Sequence, residues 1–150
     1  MRYRLAFFPV ILFWLLAFSQ VMAKPDALGH PNQPPSASTA LAQQTIEFYP
    51  DSSRVDERFL PILAAHAAYL VAHPAQKITI AGHFQSENSA REYDIALGEQ
   101  LAKSVERMLR SAGVDHAQIS VVSYGRERPR CLKPTPACQQ ANDYVSILYR

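Results

Sequence analysis

The sequence predicts an α/β fold of the α+β sandwich kind, a mixed sheet with two helices packed on it, and three observations predict it. Short β-branched or aromatic runs recur at 45–49, 77–81, 119–123 and 144–149. Apolar stripes at helical spacing fall between the first three of these runs. And 48% of the 150 residues are apolar, which is enough for one domain with a core and too short a chain for two. Helices between strands at these lengths imply crossover connections and hence a mixed sheet.

Thr45-Ile46-Glu47-Phe48-Tyr49 alternates and is closed by the turn chemistry of Pro50-Asp51-Ser52-Ser53, which makes it the first strand. Phe59, Ile62, Leu63, His66, Ala67 and Leu70 then keep the i, i+3, i+4, i+7 spacing of an amphipathic helix of about four turns. Asp56 is its expected N-cap and Pro74 lies just past its end, while Pro61 fits only in or near the first turn. Lys77 to Ala81 is a second short strand, ended by Gly82. A long second helix follows from Ala90 to Ala112, with Ile95, Gly98, Ala102, Val105 and Leu109 on one stripe and Gly113 as a left-handed cap before Val114. Gly98, with no side chain, lets this helix approach the sheet closely. Ile119 to Ser123 and Tyr144 to Tyr149 supply the last two strands, so the order is βαβαβ, a loop, then β.

Ahead of this domain the chain has two other zones. Residues 1–23 run from basic Arg2 and Arg4 through the apolar stretch Leu5 to Phe18 to a polar exit at Ser19 and Gln20, the layout of a secretory signal peptide. Val21 and Ala23 place small or modest side chains before a cut ahead of Lys24. A membrane anchor is the rival reading, but this apolar stretch at ~1.5 Å rise per residue falls short of a ~30 Å hydrocarbon core, and Pro9 weakens its helix. Cleavage leaves no integral membrane segment, and no cysteine near the cut offers a lipoprotein-type attachment. Residues 24–44 are rich in Pro, Ser and Ala and bury too little apolar surface to offset their ordering entropy; they are expected to be a semi-extended tether before a domain spanning 45–150.

Charge and motif narrow the function classes. Fifteen Lys and Arg stand against 13 Asp and Glu, and removing Arg2 and Arg4 with the leader balances them, so the remainder lacks the positive field of a dedicated nucleic-acid binder. No G-x-S-x-G, H-E-x-x-H or phosphate-cradling glycine loop occurs, and nothing calls for a cofactor. His66 sits on the apolar stripe of the first helix and reads as a core histidine with one satisfied nitrogen; His73, two turns on, is ~10 Å away and too far to share a metal with it. His83 and Glu87 read as loop residues, the carboxylate solvated. Cys131 and Cys138 bracket a proline-containing loop, and in an exported chain they are expected to form a disulfide worth about 2.5 kcal/mol by the loop-entropy argument. Arg126, Arg128, Arg130 and Lys133 surround that loop with only Glu127 opposing them.

The blocks Ala64-Ala65-His66-Ala67-Ala68-Tyr69-Leu70, Ile78-Thr79-Ile80-Ala81-Gly82-His83, Arg91-Glu92-Tyr93-Asp94-Ile95-Ala96-Leu97-Gly98-Glu99 and Ile119-Ser120-Val121-Val122-Ser123-Tyr124-Gly125 agree in order and spacing with the OmpA-like C-terminal domain. The resemblance is nearest to the branch of peptidoglycan-associated lipoproteins and covers about Thr45 to Arg150. It implies a non-enzymatic protein in the periplasm of a Gram-negative bacterium, where such domains hold the diaminopimelate side chain of peptidoglycan and tie the outer membrane or an envelope machine to the cell wall. Any outer-membrane association of this chain would then be made through a partner.

The resemblance also locates a clasp: an Asp after the Gly-His of strand two takes the ligand's ammonium, and an Arg on helix two takes its carboxylate. Here Gly82-His83 is followed by Phe84 and Gln85, and the position of the Arg is Leu101. Near the last strand, where the family tends to carry Asn and two Arg, Asn142 is followed by Asp143 and Tyr144, and the loop between His83 and Tyr93 is one residue longer. Gln85 hydrogen-bonds without neutralising, and Leu101 does neither. Losing both charged ends costs ~3 to 6 kcal/mol, two to four decades in affinity. Leu97, Leu101, Val105 and Met108 also form a helical stripe, so Leu101 has a core reading beside an apolar contact with a partner or with Phe84. Arg91, Lys103 or Arg107 are the candidates to replace the missing cation. The expected function is scaffolding through an envelope protein partner, in a tethering or secretion complex, with peptidoglycan binding weakened or lost; the alternative is a peptidoglycan binder with a rearranged site.

Overall fold

A computed structural model of the chain describes residues 36–49, 52–86 and 88–150; the leader, most of the tether, and residues 50, 51 and 87 lie outside the described residues. The elements run α1 (Ala37–Ala42), β1 (Thr45–Glu47), α2 (Leu60–Ala72), β2 (Ile78–His83), α3 (Arg91–Ser111), β3 (Ile119–Gly125), α4 (Pro136–Ala141) and β4 (Tyr144–Tyr149), with 3-10 turns at Glu57–Phe59 and His116–Gln118. The four strands form one mixed sheet in the order β1-β4-β2-β3. β2 and β3 are parallel, joined by the α3 crossover, and β4 is antiparallel to both β1 and β2.

Register decides what each face carries. Ile46 pairs with Val145, Gly82 with Val145, Ile80 with Ile147 and Val121, and Ile78 with Tyr149 and Ile119, so alternation puts all of them on one face. That face is covered by both long helices: α3 crosses at Gly82, and His66 of α2 hydrogen-bonds Tyr149. Leu63, Ala67 and Leu70 of α2 and Leu101, Ala102, Val105 and Leu109 of α3 complete the core.

The ends of these elements follow local chemistry, with some shifts from the sequence reading. Asp56 caps the 3-10 turn that leads into α2, accepting from the Arg58 N–H, and Pro61 falls in the first turn of the helix, where its missing N–H costs nothing. Gly113, at φ 98°, ends α3 in a Schellman motif: the Val114 N–H reaches Leu109 O at 3.1 Å and the Gly113 N–H reaches Arg110 O at 3.0 Å. β1 is shorter than expected, with Phe48 making only an isolated bridge to Val55. β2 continues through Gly82 to His83, because Gly82 is needed inside the strand for the helix crossing and His83 pairs with Tyr144. His83 is therefore a buried strand residue, correcting its loop assignment, while Glu87 lies outside the described residues.

Two helices lie where none was expected. α1 falls within the stretch read as semi-extended tether: Ser36 caps it, Ala40 is buried, and the Gln43 carbonyl just beyond accepts from His66 Nε2 at 3.0 Å. His66 Nδ1 accepts from the Tyr149 hydroxyl at 2.7 Å, so both ring nitrogens are satisfied and the neutral tautomer is fixed. Burial holds its pKa below the ordinary value. α4 forms in the expected loop, capped by Thr135 and started by Pro136, and the Cys131–Cys138 disulfide, with Cα atoms 5.2 Å apart, ties it to the preceding segment.

Candidate binding groove

The loop between β2 and α3 is built around a buried ion pair. Asp94, in the first turn of α3 and fully buried, pairs with the Arg126 guanidinium and accepts from Ser89 Oγ at 2.6 Å and the Ser86 N–H at 3.2 Å. Arg126 donates in turn to Ser89 O and Ser89 Oγ, both at 2.7 Å. Asp94, and not Ile95, therefore begins the buried stripe of α3 that continues through Gly98, Leu101, Ala102 and Val105. An acid four residues ahead of Gly98 on that stripe is the signal that would have found it.

This network fixes the loop that carries Phe84 and Gln85. Beside them lies a groove of about 270 Å³ lined by Ser52, Ser53, Phe84, Tyr93, Leu97, Gln100, Leu101 and Asp143. Three of the five residues proposed from the sequence thus meet in one cavity. Leu101 fits both of its readings: it is only 4% exposed and part of the core, yet it lines the groove together with Phe84. Asn142 and Gln85 do not line the groove but hydrogen-bond each other. The Asn142 carboxamide accepts the N–H groups of Arg130 and Cys131 at 2.8 and 2.9 Å and donates to Gln85 Oε1 and Cys131 O, both at 2.9 Å. It is a fully used bracket between the disulfide loop and Gln85, and Asp143 Oδ1 accepts the Gln85 N–H at 3.2 Å.

None of the three candidate replacement cations lines this groove. Arg91 pairs with Glu127 at 2.6 Å on the surface and Lys103 with Glu99 at 2.5 Å along the helix. Arg107 faces two other surface depressions, one of them shared with Ser53, Arg54 and Met108. Helical geometry is the reason: Leu97 and Leu101 are four apart and share a face, whereas positions 103 and 107 turn away from it. Among the described residues, Asp143 is the one charged group lining the groove.

The opposite face of the sheet carries a second arrangement. Tyr144 and His83 are cross-strand neighbours whose rings stack at 4.1 Å, and Tyr124 lies 5.4 Å from His83. Arg128 sits over Tyr124 at 3.8 Å and Arg130 over Tyr144 at 4.9 Å, so two guanidiniums flank a row of three rings. Burial first, and then these two charges, push the His83 pKa down to about 4, and its Nδ1 is buried without a hydrogen-bond partner. The basic loop is visible in the sequence, whereas the rings beneath its arginines are brought together only by the strand pairing. No group of three or more His, Cys, Asp or Glu among the described residues is placed to hold a metal, and no helix among them is long and apolar enough to cross a membrane.

Residues 47–143 match the OmpA family. The chain is 43% identical over 99 residues to a peptidoglycan-associated lipoprotein of Legionella pneumophila, covering 66% of this chain and 56% of that protein. It is 37% identical over 105 residues to the corresponding lipoprotein of Pasteurella multocida, covering 70% and 69%. The chain thus spans just over half the length of the Legionella relative. The crystal structure of the peptidoglycan-associated lipoprotein from Burkholderia pseudomallei superposes with a TM-score of 0.70 at 35% identity, over 79% of this chain and 98% of that one. The C-terminal domain of Helicobacter pylori MotB, at 18% identity and a TM-score of 0.60 over 70% of this chain and 83% of that one, shares the fold.

Proposed function

From the premise that this chain belongs to the OmpA family, we propose that it is a periplasmic envelope scaffold or tether that works through a protein partner in an envelope or secretion complex, with ordinary peptidoglycan binding weakened or lost. It is a structural protein of the cell envelope and not an enzyme. The observation that supports the reading is the charge of the groove: its described lining holds one carboxylate and no cation, and it includes Leu101, the position expected from the sequence to correspond to the family's Arg. A ligand carboxylate entering there would lose its water without gaining a charged partner, and an uncompensated charge is the costliest group to desolvate. The domain keeps the fold of its relatives, so a role in holding envelope components together survives the change of ligand chemistry.

One observation favours the second reading, a peptidoglycan binder with a rearranged site. Asp143 accepts the backbone N–H of Gln85, so a carboxylate sits beside the position expected from the sequence to correspond to the family's Asp. Co-sedimentation of the purified protein with sacculi, beside crosslinking in intact cells, separates the two. Weak, non-saturable sedimentation with a reproducible protein crosslink is expected. Saturable binding that free diaminopimelate displaces would reverse the ranking.

A further inference from the structure

Resting on the scaffold reading, the sheet indicates where and how a partner is held. The order β1-β4-β2-β3 leaves β1 and β3 as its two edges. β1 is three residues long and carries Glu47, which faces Arg58 at 3.9 Å and Arg130 at 3.6 Å, so that edge is both short and charged. β3 is seven residues long, holds no charged residue and no proline, and pairs regularly with β2 from Ile119 to Ser123. Sheets ordinarily blunt an edge of this length with charge, proline or a bulge, because its outward N–H and C=O groups are a template for another strand. We propose that the free edge of β3 takes an extended, acidic segment of the protein partner as a further strand of the sheet.

The charge of that segment follows from two guanidiniums. Arg150 donates to Ser120 Oγ at 2.8 Å, and Arg128 lies over the Tyr124 ring at 3.8 Å. Among the described residues neither guanidinium meets a carboxylate. Ser120 and Tyr124 share the face of the sheet turned away from the helices, and at ~3.3 Å per residue they lie roughly 13 Å apart along one strand. A neighbouring strand with acidic side chains four positions apart presents one carboxylate to each arginine while its backbone pairs with β3. Two other occupants fit less well. A second copy paired antiparallel about Val122 would set its Tyr124 against Ser120 and so bring its Arg128 to Arg150, like charge to like. The chain's own residues 24–44 contain one acid, Asp26, and cannot supply two. No residue of β3 lines the groove, so this edge is a separate surface.

The test uses the full chain and three short synthetic peptides in an NMR titration followed at the β3 amides: an alternating Thr-Val peptide with Glu at two positions four apart, the same peptide with Lys at those positions, and the Glu peptide N-methylated at every central residue so that neither of its edges can pair. The Glu peptide should bind at least tenfold more tightly than either of the others and should slow hydrogen exchange at alternate β3 amides. Arg128→Gln with Arg150→Gln should bring the Glu peptide to the level of the Lys peptide, and Val122→Glu, on the outer face, should weaken it at least tenfold. Equal affinity for the Glu and Lys peptides, binding undiminished by N-methylation, or exchange changes that leave β3 untouched would overturn the inference. So would a concentration-dependent dimer of the full chain that Val122→Glu dissociates, since a second copy then holds the edge. The scaffold reading stands under each of these results and falls instead if sacculi bind the protein saturably and diaminopimelate displaces it.

Discussion

Gly82 of β2 and Gly98 of α3 touch backbone to backbone: a Cβ on Gly82 would lie 1.8 Å from the Gly98 carbonyl oxygen, and a Cβ on Gly98 would lie 2.5 Å from Ser123 Oγ. This crossing sets the depth at which α3 sits on the sheet, and so the distance between Phe84, just past β2, and Leu101, one turn along α3. Gly82→Ala pushes against main chain that cannot rotate away, and we expect it to cost at least about 3 kcal/mol of stability. Gly98→Ala meets the Ser123 hydroxyl, which can turn, and the Gly82 main chain only at 3.2 to 3.3 Å, and alanine favours the helix by about 1 kcal/mol, so its cost should be clearly smaller. Urea midpoints of the two variants, with m-values to check that both remain two-state, measure the difference.

The Asp94–Arg126 pair makes a second, separate prediction. Asp94 is fully buried while the Arg126 side chain is about a third exposed, so removing the acid strands a guanidinium that water reaches only in part. Asp94→Ala should therefore destabilise by about 3 kcal/mol, the lower end for a broken buried pair. Asp94→Leu with Arg126→Met replaces both charges by apolar groups and should cost less than the sum of the single changes. A double-mutant cycle from equilibrium unfolding checks this, and additive costs would mean that the two charges are not coupled.

Which parts of the molecule were legible in the sequence follows from how local their causes are. The long helices and the strands declared themselves through periodicity, and Gly98 and Gly113 through the special geometry that their places demand. α1 did not, because a six-residue helix of small side chains has little intrinsic stability and is held by Ala40 packing and the His66–Gln43 contact, both distant in sequence. α4 is equally short, and its Thr135 cap and the Cys131–Cys138 disulfide hold it without an apolar stripe to announce it. In the groove, Phe84, Leu101 and Asp143 were found by resemblance, whereas no spacing rule brings His83, Tyr124 and Tyr144 together; only the pairing of β2 with β3 and β4 does.

Acid should destabilise the protein through its two buried histidines. Both His66 and His83 have folded pKa values below the unfolded value near 6.5, His83 at about 4, so below pH 6.5 the unfolded chain binds more protons than the folded one. Their contribution is whole above about pH 6.5 and is lost as the pH falls toward 4, at no more than about 1.4 kcal/mol per pH unit for each histidine. His83→Phe keeps a ring stacked on Tyr144 and removes the unpartnered Nδ1, so it should be neutral or stabilising at pH 7 and should flatten the acid limb. Unfolding midpoints of wild type and variant between pH 7.5 and about 4.5 give the comparison. An unchanged acid limb in the variant would show that His83 does not titrate in this window.

The groove makes the final prediction, and the structure orders the variants. If the missing cation is what keeps the zwitterion out, Leu101→Arg supplies it within the lining that also holds the carboxylate of Asp143. Gln85→Asp alone does the reverse: it adds a second carboxylate next to Asp143, whose Oδ1 lies 3.2 Å from the backbone nitrogen of residue 85, and still offers the ligand carboxylate nothing. Leu101→Arg should therefore recover more sacculus binding than Gln85→Asp, by about the factor of ten or more that one charge-assisted hydrogen bond represents. The double variant should bind at least as well as Leu101→Arg, because Gln85→Asp then supplies a partner for the ligand ammonium while Leu101→Arg takes its carboxylate. Since Leu101 also packs in the core, each variant's unfolding midpoint is measured beside its binding, so that a folded protein that fails to bind is distinguished from an unfolded one. A folded Leu101→Arg variant that gains no diaminopimelate-competed binding would show that the groove lost its ligand through shape and not through charge.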